Sequence, residues 1–367
     1  MQKIRVLVID DSVVIRRWLS ENLGSHPEIE VVGTASDGKI GLAKIPQVNP
    51  DIIILDLEMP VMDGLQTLAA IRKTYKDLPV IIFSSVSKRG ACATLDALTL
   101  GASDYATKAS NFGADRTLCD ELIPKIKALC LTRIPSLPLK AISATPIPGR
   151  ASPRHHLPAP VDIVAIGVST GGPNALSSLL PSLAANFPVP VVIVQHMPPM
   201  FTQQLAERLA HISGHPVREG KHGEMLHPGD MWIAPGGLHM EVESTAAGVR
   251  LCTHDGPPEN SCRPAVDVLF RSVAKVYGPR VLAIVLTGMG HDGLRGCQNI
   301  HEAGGKILAQ DEASSVVWGM PGAVSRAGLA DKVLPLSALA TEINRLTFLP
   351  RDESARRGRE TSLAHHR

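Results

Sequence analysis

The stretch VDIVAIGVSTGGPN, residues 161–174, decides the fold. Its aliphatic run at 163–166 reads as a buried strand. The glycines at 167, 171 and 172 read as a tight turn, and Pro173 as the opening of a helix. Ser169 sits in that turn. Glycines admit sharp backbone angles and close approach of a substrate. The N–H groups at a helix start can receive an anion or a developing oxyanion. Taken alone, the stretch leaves three readings open: a nucleophile at Ser169, a phosphate-cradling loop, or a plain strand–turn–helix connection.

The same punctuation recurs towards the C-terminus. A buried strand at 189–194 runs directly into Gln195-His196-Met197. Residues 231–234 form a short strand, 241–253 a hairpin turning near 246–248, and 264–277 an amphipathic helix. A further aliphatic strand at 281–286 ends in Thr287-Gly-Met-Gly-His-Asp-Gly293. Alternating strands and helices predict an α/β, doubly wound, mainly parallel sheet over 161–350. Ser169, His196 and Asp292 each follow a buried strand, so the three share one sheet edge. A hydroxyl nucleophile, an imidazole base and a carboxylate that orients the imidazole are what serine hydrolysis needs. The backbone N–H groups at Thr170 and Met289, in glycine-flanked turns, are the candidate oxyanion donors. Asp292 as a simple helix cap and Ser169 as a turn residue remain open on spacing alone. Of fourteen histidines, His239 and His291 are weaker candidates for the base.

Towards the N-terminus a second alternating unit occupies residues 1–133. The continuous aliphatic run at 4–9 stops at Asp10-Asp11. The run DIIILDL at 51–57 carries Asp56, the strand at 79–83 ends at Ser84, and the strand at 103–107 ends at Lys108. Continuous aliphatic runs fit central parallel strands, and ligands bind outside the carboxyl ends of such strands. Asp10, Asp11 and Asp56 thus converge as an acidic pocket. Crowded carboxylates repel one another unless a hard cation neutralises them, and an all-oxygen set suits Mg²⁺. Ser84 and Lys108 come from neighbouring strand ends, where they could hold a phosphoryl group.

The chain has 367 residues, net charge +2 and 3% aromatics. Near-neutral charge, few aromatics and no basic helix-turn-helix pattern disfavour a nucleic-acid partner. No apolar run reaches membrane-spanning length, and the start reads as a strand rather than a signal peptide. Six cysteines without CxxC pairing read as reduced cytosolic thiols, with neither a disulfide framework nor a zinc site. Residues 134–160 carry prolines at 135, 138, 146, 148, 153, 158 and 160 and read as a semi-rigid linker. The arginine-rich tail, 351–367, reads as disordered.

Residues 1–133 resemble the receiver domain of two-component response regulators, through Asp10-Asp11, Asp56 with Met59-Pro-Val-Met-Asp-Gly64, Ser84, Tyr105 and Lys108. The resemblance implies a flavodoxin-like (βα)5 fold and Asp56 as phosphoacceptor. It implies Mg²⁺ held by Asp11, Asp56 and the Glu58 backbone carbonyl, with Asp10 supporting. Ser84 and Lys108 would contact phosphate, and Tyr105 would be the switch aromatic. Ala109 stands where the family usually has proline.

Residues 162–339 resemble the catalytic domain of the chemotaxis protein-glutamate methylesterases. The shared motifs are Gly167-Val-Ser-Thr-Gly-Gly172, Gln195-His-Met197, Pro199-Met-Phe-Thr202, Ile233-Ala-Pro-Gly-Gly237, Arg263-Pro-Ala-Val-Asp-Val-Leu-Phe270, Thr287-Gly-Met-Gly-His-Asp-Gly293 and Gln310-Asp311 with Trp318-Gly-Met-Pro321. By resemblance Ser169 is the nucleophile, His196 the base and Asp292 its partner. The implied activity is a phosphorylation-activated serine esterase. It would demethylate glutamate methyl esters on chemoreceptors, releasing methanol, and deamidate glutamines. A cognate histidine kinase would be the phosphodonor, the esterase chemistry would need no cofactor, and the enzyme would be cytoplasmic, recruited to membrane-bound receptor arrays. The unmodified receiver would pack over the hydrolase edge. Arg263 stays open between a substrate contact and a surface ion pair. Two rivals carry distinct signatures. A binding-only output domain would leave Ser169 unlabelled by a serine-reactive phosphonate, and a nucleotide-binding turn at 167–172 would need GxGxxG or Gly-Lys-Ser/Thr, neither of which that turn carries.

Overall fold

Two parallel sheets, each flanked by helices, carry the chain; the computed structural model describes residues 3–108, 117–131 and 159–348. The first unit runs β1 (Ile4–Ile9), α1 (Val13–Gly24), β2 (Ile29–Ala35), α2 (Gly38–Val48), β3 (Ile52–Asp56), α3 (Gly64–Thr74), β4 (Val80–Ser85), α4 (Lys88–Thr99), β5 (Asp104–Lys108) and α5 (Thr117–Leu131). Its strands lie in the order β2-β1-β3-β4-β5, all parallel. Helices cover both faces, which is why Val6 to Ile9 and Ile52 to Leu55 read as unbroken aliphatic runs and are buried. Each such side chain contributes about 1.5–3 kcal/mol on burial. The helices begin where a short polar side chain accepts a backbone N–H: Ser12 for α1, Asp37 for α2, Asp63 for α3 and Ser87 for α4. Each cap contributes about 1 kcal/mol.

The second unit runs β6 (Ile163–Val168), α6 (Gly172–Leu179), β7 (Val191–Gln195), α7 (Phe201–Ser213), β8 (Val217–Glu219), β9 (Met231–Ile233), β10 (His239–Thr245), β11 (Gly248–His254), α8 (Val266–Tyr277), β12 (Val281–Val285), α9 (Leu294–Glu302), β13 (Lys306–Gln310), α10 (Met320–Arg326), β14 (Lys332–Leu334) and α11 (Leu336–Thr347). Seven strands form one sheet, β14-β13-β12-β6-β7-β9-β8. Every pairing in it is parallel, where the sequence predicts only a mainly parallel sheet. The antiparallel pair is the separate hairpin β10-β11. Both edge strands, β8 and β14, escape the sequence reading. The substitution of Ala109 for the usual proline, the linker up to residue 158 and the tail from 349 lie outside the described residues.

The two units pack through α4, β5 and α5 of the first. Tyr105 of β5 stacks on Phe201 of α7, ring centroids 5.2 Å apart and 10° from parallel. Arg208 of α7 donates to Asp96 (2.6 Å) and Thr99 (2.9 Å) of α4. Cys92 Sγ donates to Gln204 Oε1, and Asn174 Nδ2 to the Leu98 carbonyl. Beneath these polar contacts the apolar cores run together: Val317 of the second unit belongs to the same buried cluster as Leu122 and Ile126 of α5, and Met289 packs against that cluster.

Candidate active site

The central strand of the second sheet, β6, delivers Ser169 at its carboxyl end, and its neighbour β7 delivers His196. Val168 pairs with Gln195 in register, so Ser169 and His196 leave adjacent strands side by side. The His196 N–H donates to the Val168 carbonyl (3.2 Å). The turn after β6 is left-handed at Gly171, φ +78°, a conformation that a side chain strains. Gly288 is constrained differently: a Cβ there would stand 2.8 Å from Ser169 Cβ. Its bareness lets the loop after β12 run against the serine. Thr287 stitches the two turns together. Its carbonyl accepts the Ser169 N–H (3.0 Å), and its hydroxyl donates to the Thr170 carbonyl (2.9 Å).

Asp292 lies in the loop between β12 and α9, on the far side of β6 from His196, yet reaches the imidazole. His196 Nε2 is 2.8 Å from Asp292 Oδ2. The same carboxylate accepts the backbone N–H groups of Val266 (2.7 Å), Asp267 (3.0 Å) and Gly293 (3.0 Å), and the Asn260 side-chain amide (2.7 Å). Asp292 therefore caps a helix, as the plainer reading had it. The helix is α8 rather than the α9 that follows it, and the carboxylate orients a histidine at the same time. Burial works to raise its pKa, but the bonds from His196, Val266 and Asp267 prevail and hold it below the ordinary carboxylate range. Burial works to lower that of His196, and the bonds to Asp292 and Cys262 overcome it, raising the imidazole above its usual range.

The second imidazole nitrogen, Nδ1, faces Cys262 Sγ at 3.7 Å. Among the described residues Asp292 and Cys262 are the side-chain partners of the imidazole, and no hydrogen bond joins it to Ser169 Oγ. The backbone N–H groups of Thr170 and Met289 likewise bond to nothing among the described residues, and the Met289 turn abuts the Ser169 turn through Gly288. The weaker candidates separate cleanly. His239 is buried and structural, with Nε2 donating to the Pro257 carbonyl and Nδ1 accepting the Ala265 N–H. His291 is exposed. Arg263 donates to the carbonyls of Asp255 and Gly256, so it staples a loop rather than forming an ion pair.

At the first sheet's carboxyl edge, Asp10 and Asp56 are buried and Asp11 is exposed, with carboxylate oxygens of all three within 4.8 Å of one another. Lys108 Nζ bridges Asp10 (3.0 Å) and Asp56 (2.7 Å). Burial, and then the Asp10 charge, push Asp56 up to about 6 against the pull of Lys108. The Glu58 N–H donates to Asp56 Oδ1 (3.3 Å). Ser84 is buried beside this pocket with its hydroxyl on the Gly90 carbonyl (3.2 Å). Tyr105 is buried at the contact between the units. The donors of the acidic cluster are all oxygen, as a Mg²⁺ site requires.

Sequence reasoning misses Cys262 and Asn260. Both belong to a turn with no strand end beside it, and the one available signal was their place immediately before the Arg263–Phe270 motif.

The chain matches the CheB methylesterase family over residues 164–343 and the response regulator receiver domain over residues 6–118. It is 55% identical to a protein-glutamate methylesterase/protein-glutamine glutaminase of Trichodesmium erythraeum, over 94% of this chain and 99% of that one. It is 50% identical to one from Nocardioides sp., over 94% and 96%. The crystal structure of the Thermotoga maritima CheB methylesterase catalytic domain superposes with a TM-score of 0.50 at 41% identity, covering 51% of this chain and 98% of that one. With near full-length coverage on both sides, the chain belongs to the CheB family of chemotaxis protein-glutamate methylesterases/protein-glutamine glutaminases, in which a receiver domain precedes the esterase.

Proposed function

We propose that Ser169 attacks the methyl ester of a glutamyl side chain on a chemoreceptor, with His196 as base and Asp292 holding the imidazole. The observation that carries this reading is the 2.8 Å His196–Asp292 bond beside a glycine-shaped serine turn. Ser169 Oγ forms the bond to the ester carbonyl carbon while its proton passes to His196. The N–H groups of Thr170 and Met289 receive the oxyanion; one such donor contributes roughly 10²–10³ in rate. The tetrahedral adduct expels methanol, which takes the proton from His196. Water, deprotonated by the same imidazole, then releases the glutamate and restores Ser169. A glutamine substrate follows the same route, with ammonia leaving.

The receiver unit, residues 1–133, governs this chemistry from across the proline-rich linker 134–160; the esterase unit spans 161–350. Asp56 accepts a phosphoryl group from a cognate histidine kinase. Asp11, Asp56 and the Glu58 carbonyl would hold Mg²⁺ with Asp10 in support, and bound Mg²⁺ supplies positive charge against the phosphoryl oxygens. Lys108 pairs with the modified Asp56, and Ser84 lies within the same strand-end cluster. Modification loosens the α4–β5–α5 contact and uncovers the sheet edge. The enzyme would work in the cytoplasm, at membrane-bound receptor arrays. Among the described residues no helix is long and apolar enough to cross a membrane.

Ser169→Ala tests the core of this reading. Methanol release from methylated receptor should disappear; turnover retained by the variant would remove the serine mechanism.

A further inference from the structure

The turn carrying Cys262 is built with unusual care for a loop. Glu259 and Cys262 exchange both backbone hydrogen bonds (3.1 and 2.9 Å). The two residues between them, Asn260 and Ser261, are left-handed without being glycine, at φ +52° and +62°. Such residues are strained and persist only where their surroundings over-determine them. Here the surroundings do so. Glu259 takes a two-pronged pair from Arg271 at 2.7 Å on each oxygen. Asn260 Nδ2 bonds both Asp267 (2.9 Å) and Asp292 (2.7 Å). Asn260 and His196 therefore hold the same carboxylate, and the turn is locked in register with the imidazole it faces.

We propose that Cys262 is a positioning residue of the esterase reaction. Its sulfur engages His196 Nδ1, the nitrogen left once Asp292 has taken Nε2, and so parks the base away from Ser169 until the ring is released. The inference rests on the Ser169–His196–Asp292 reading. The parked state is the one seen, in which the imidazole bonds Asp292 and Cys262 but not Ser169 Oγ. A thiol is a weak donor and a weak acceptor, so sulfur can hold the ring and still yield to a better partner. The groups facing the imidazole are Asp292 from the loop after β12 and Cys262 from the turn before α8. Behind Asp292 lie Asp267 of α8 and Glu259, which is paired with Arg271.

The sign of the effect follows. The base must be neutral to accept the serine proton, so kcat/KM rises with pH through the imidazole pKa. A sulfur partner that favours the protonated ring delays that rise. The test uses the full chain with a phosphodonor and Mg²⁺, measuring methanol release against pH for the wild type, Cys262→Ala and Cys262→Ser. The acid limb should move to lower pH in both variants by half a unit or more, a gain of roughly threefold or more in kcat/KM on the limb. The serine variant keeps a hydrogen-bonding group without an ionisable one, and guards against loss of packing in the alanine. The His196 ring nitrogens, followed by ¹⁵N NMR, should titrate at correspondingly lower pH in both. An unmoved limb with an unmoved imidazole titration would overturn the proposal, as would loss of activity at every pH in both variants. Labelling of Ser169 by a fluorophosphonate separates the two levels. Absent labelling in all three proteins sinks the serine reading itself. Labelling whose pH dependence is identical in all three leaves that reading intact and removes the role of Cys262.

Discussion

The molecule builds the same sheet edge twice and uses it for opposite ends. Asp56 and Asp292 both stand beyond central parallel strands, and both are nearly inaccessible, at 3% exposure each. Burial alone penalises either charge. Yet Asp56 is pushed up to about 6 while Asp292 falls below its ordinary range. The difference lies in the donors. Asp292 collects three backbone N–H groups, an amide and an imidazole. Asp56 has one long backbone bond and a lysine that it shares with a second carboxylate. The first is a finished anion, suited to orienting a histidine for many turnovers. The second is an under-satisfied one, suited to taking a cation and a phosphoryl group. Burial sets what is at stake in each pocket, and the count of donors decides the outcome.

Breaking the finished anion should have the largest effect. Asp292→Asn keeps the shape but loses the charge that favours the correct tautomer of His196; kcat for methanol release should fall on the order of 10³–10⁴-fold. A fall below tenfold would mean that His196 is oriented by something else. The under-satisfied anion should behave the other way. Because the folded pKa of Asp56 lies above the unfolded one, the native state binds more protons between pH 4 and 6, and stability falls as pH rises through that window. The shift corresponds to about 3 kcal/mol. Asp56→Asn without Mg²⁺ should therefore be the more stable protein at pH 7, by up to that amount, with the gap closing near pH 4. Thermal melts across pH would show it, and a destabilised asparagine variant at pH 7 would contradict the account. The same variant should keep basal esterase activity and lose stimulation by a small-molecule phosphodonor.

Between these two edges runs the contact that couples them. Thr170, beside the serine, donates its hydroxyl to Asp104 of β5 (2.9 Å), four residues before Lys108. Asp104→Ala should raise basal esterase activity on the order of ten- to a hundredfold, as expected for losing a buried bond to a charged group of about 1.5–3 kcal/mol that holds the docked state. Arg208→Ala removes a more exposed pair with Asp96 and should raise it no more than about fivefold, within 1 kcal/mol. If Arg208→Ala released more activity than Asp104→Ala, the helix contact rather than the strand contact would be the principal latch.

Much of this was legible in the chain because parallel central strands advertise themselves. Aliphatic runs mark where Asp10, Asp56, Ser84, Ser169 and His196 leave the sheet. The edge strands β8, Val-Arg-Glu, and β14, Lys-Val-Leu, are three residues each and carry charge. An edge strand is solvated along one side, so no apolar run is required of it. Asp292 could be nominated by motif, but its reach across the central strand depends on α8 presenting its N-terminus, which no local pattern encodes. The Cys262 turn was invisible for a related reason. Its left-handed residues are Asn260 and Ser261 rather than glycines, so the usual mark of such a turn is missing, and the bonds that hold it come from distant segments.

The merged apolar core has a consequence for timing. If the units part as proposed, Tyr105 and Phe201 lose their stack, and Val317 and Met289 leave the apolar cluster they share with α5. The open enzyme thus carries a wet aromatic face on each half, and water itself drives the halves back together. On the proposed regulation, closure would need no further signal once the phosphoryl group is gone, and the lifetime of the active state would follow the receiver's own dephosphorylation.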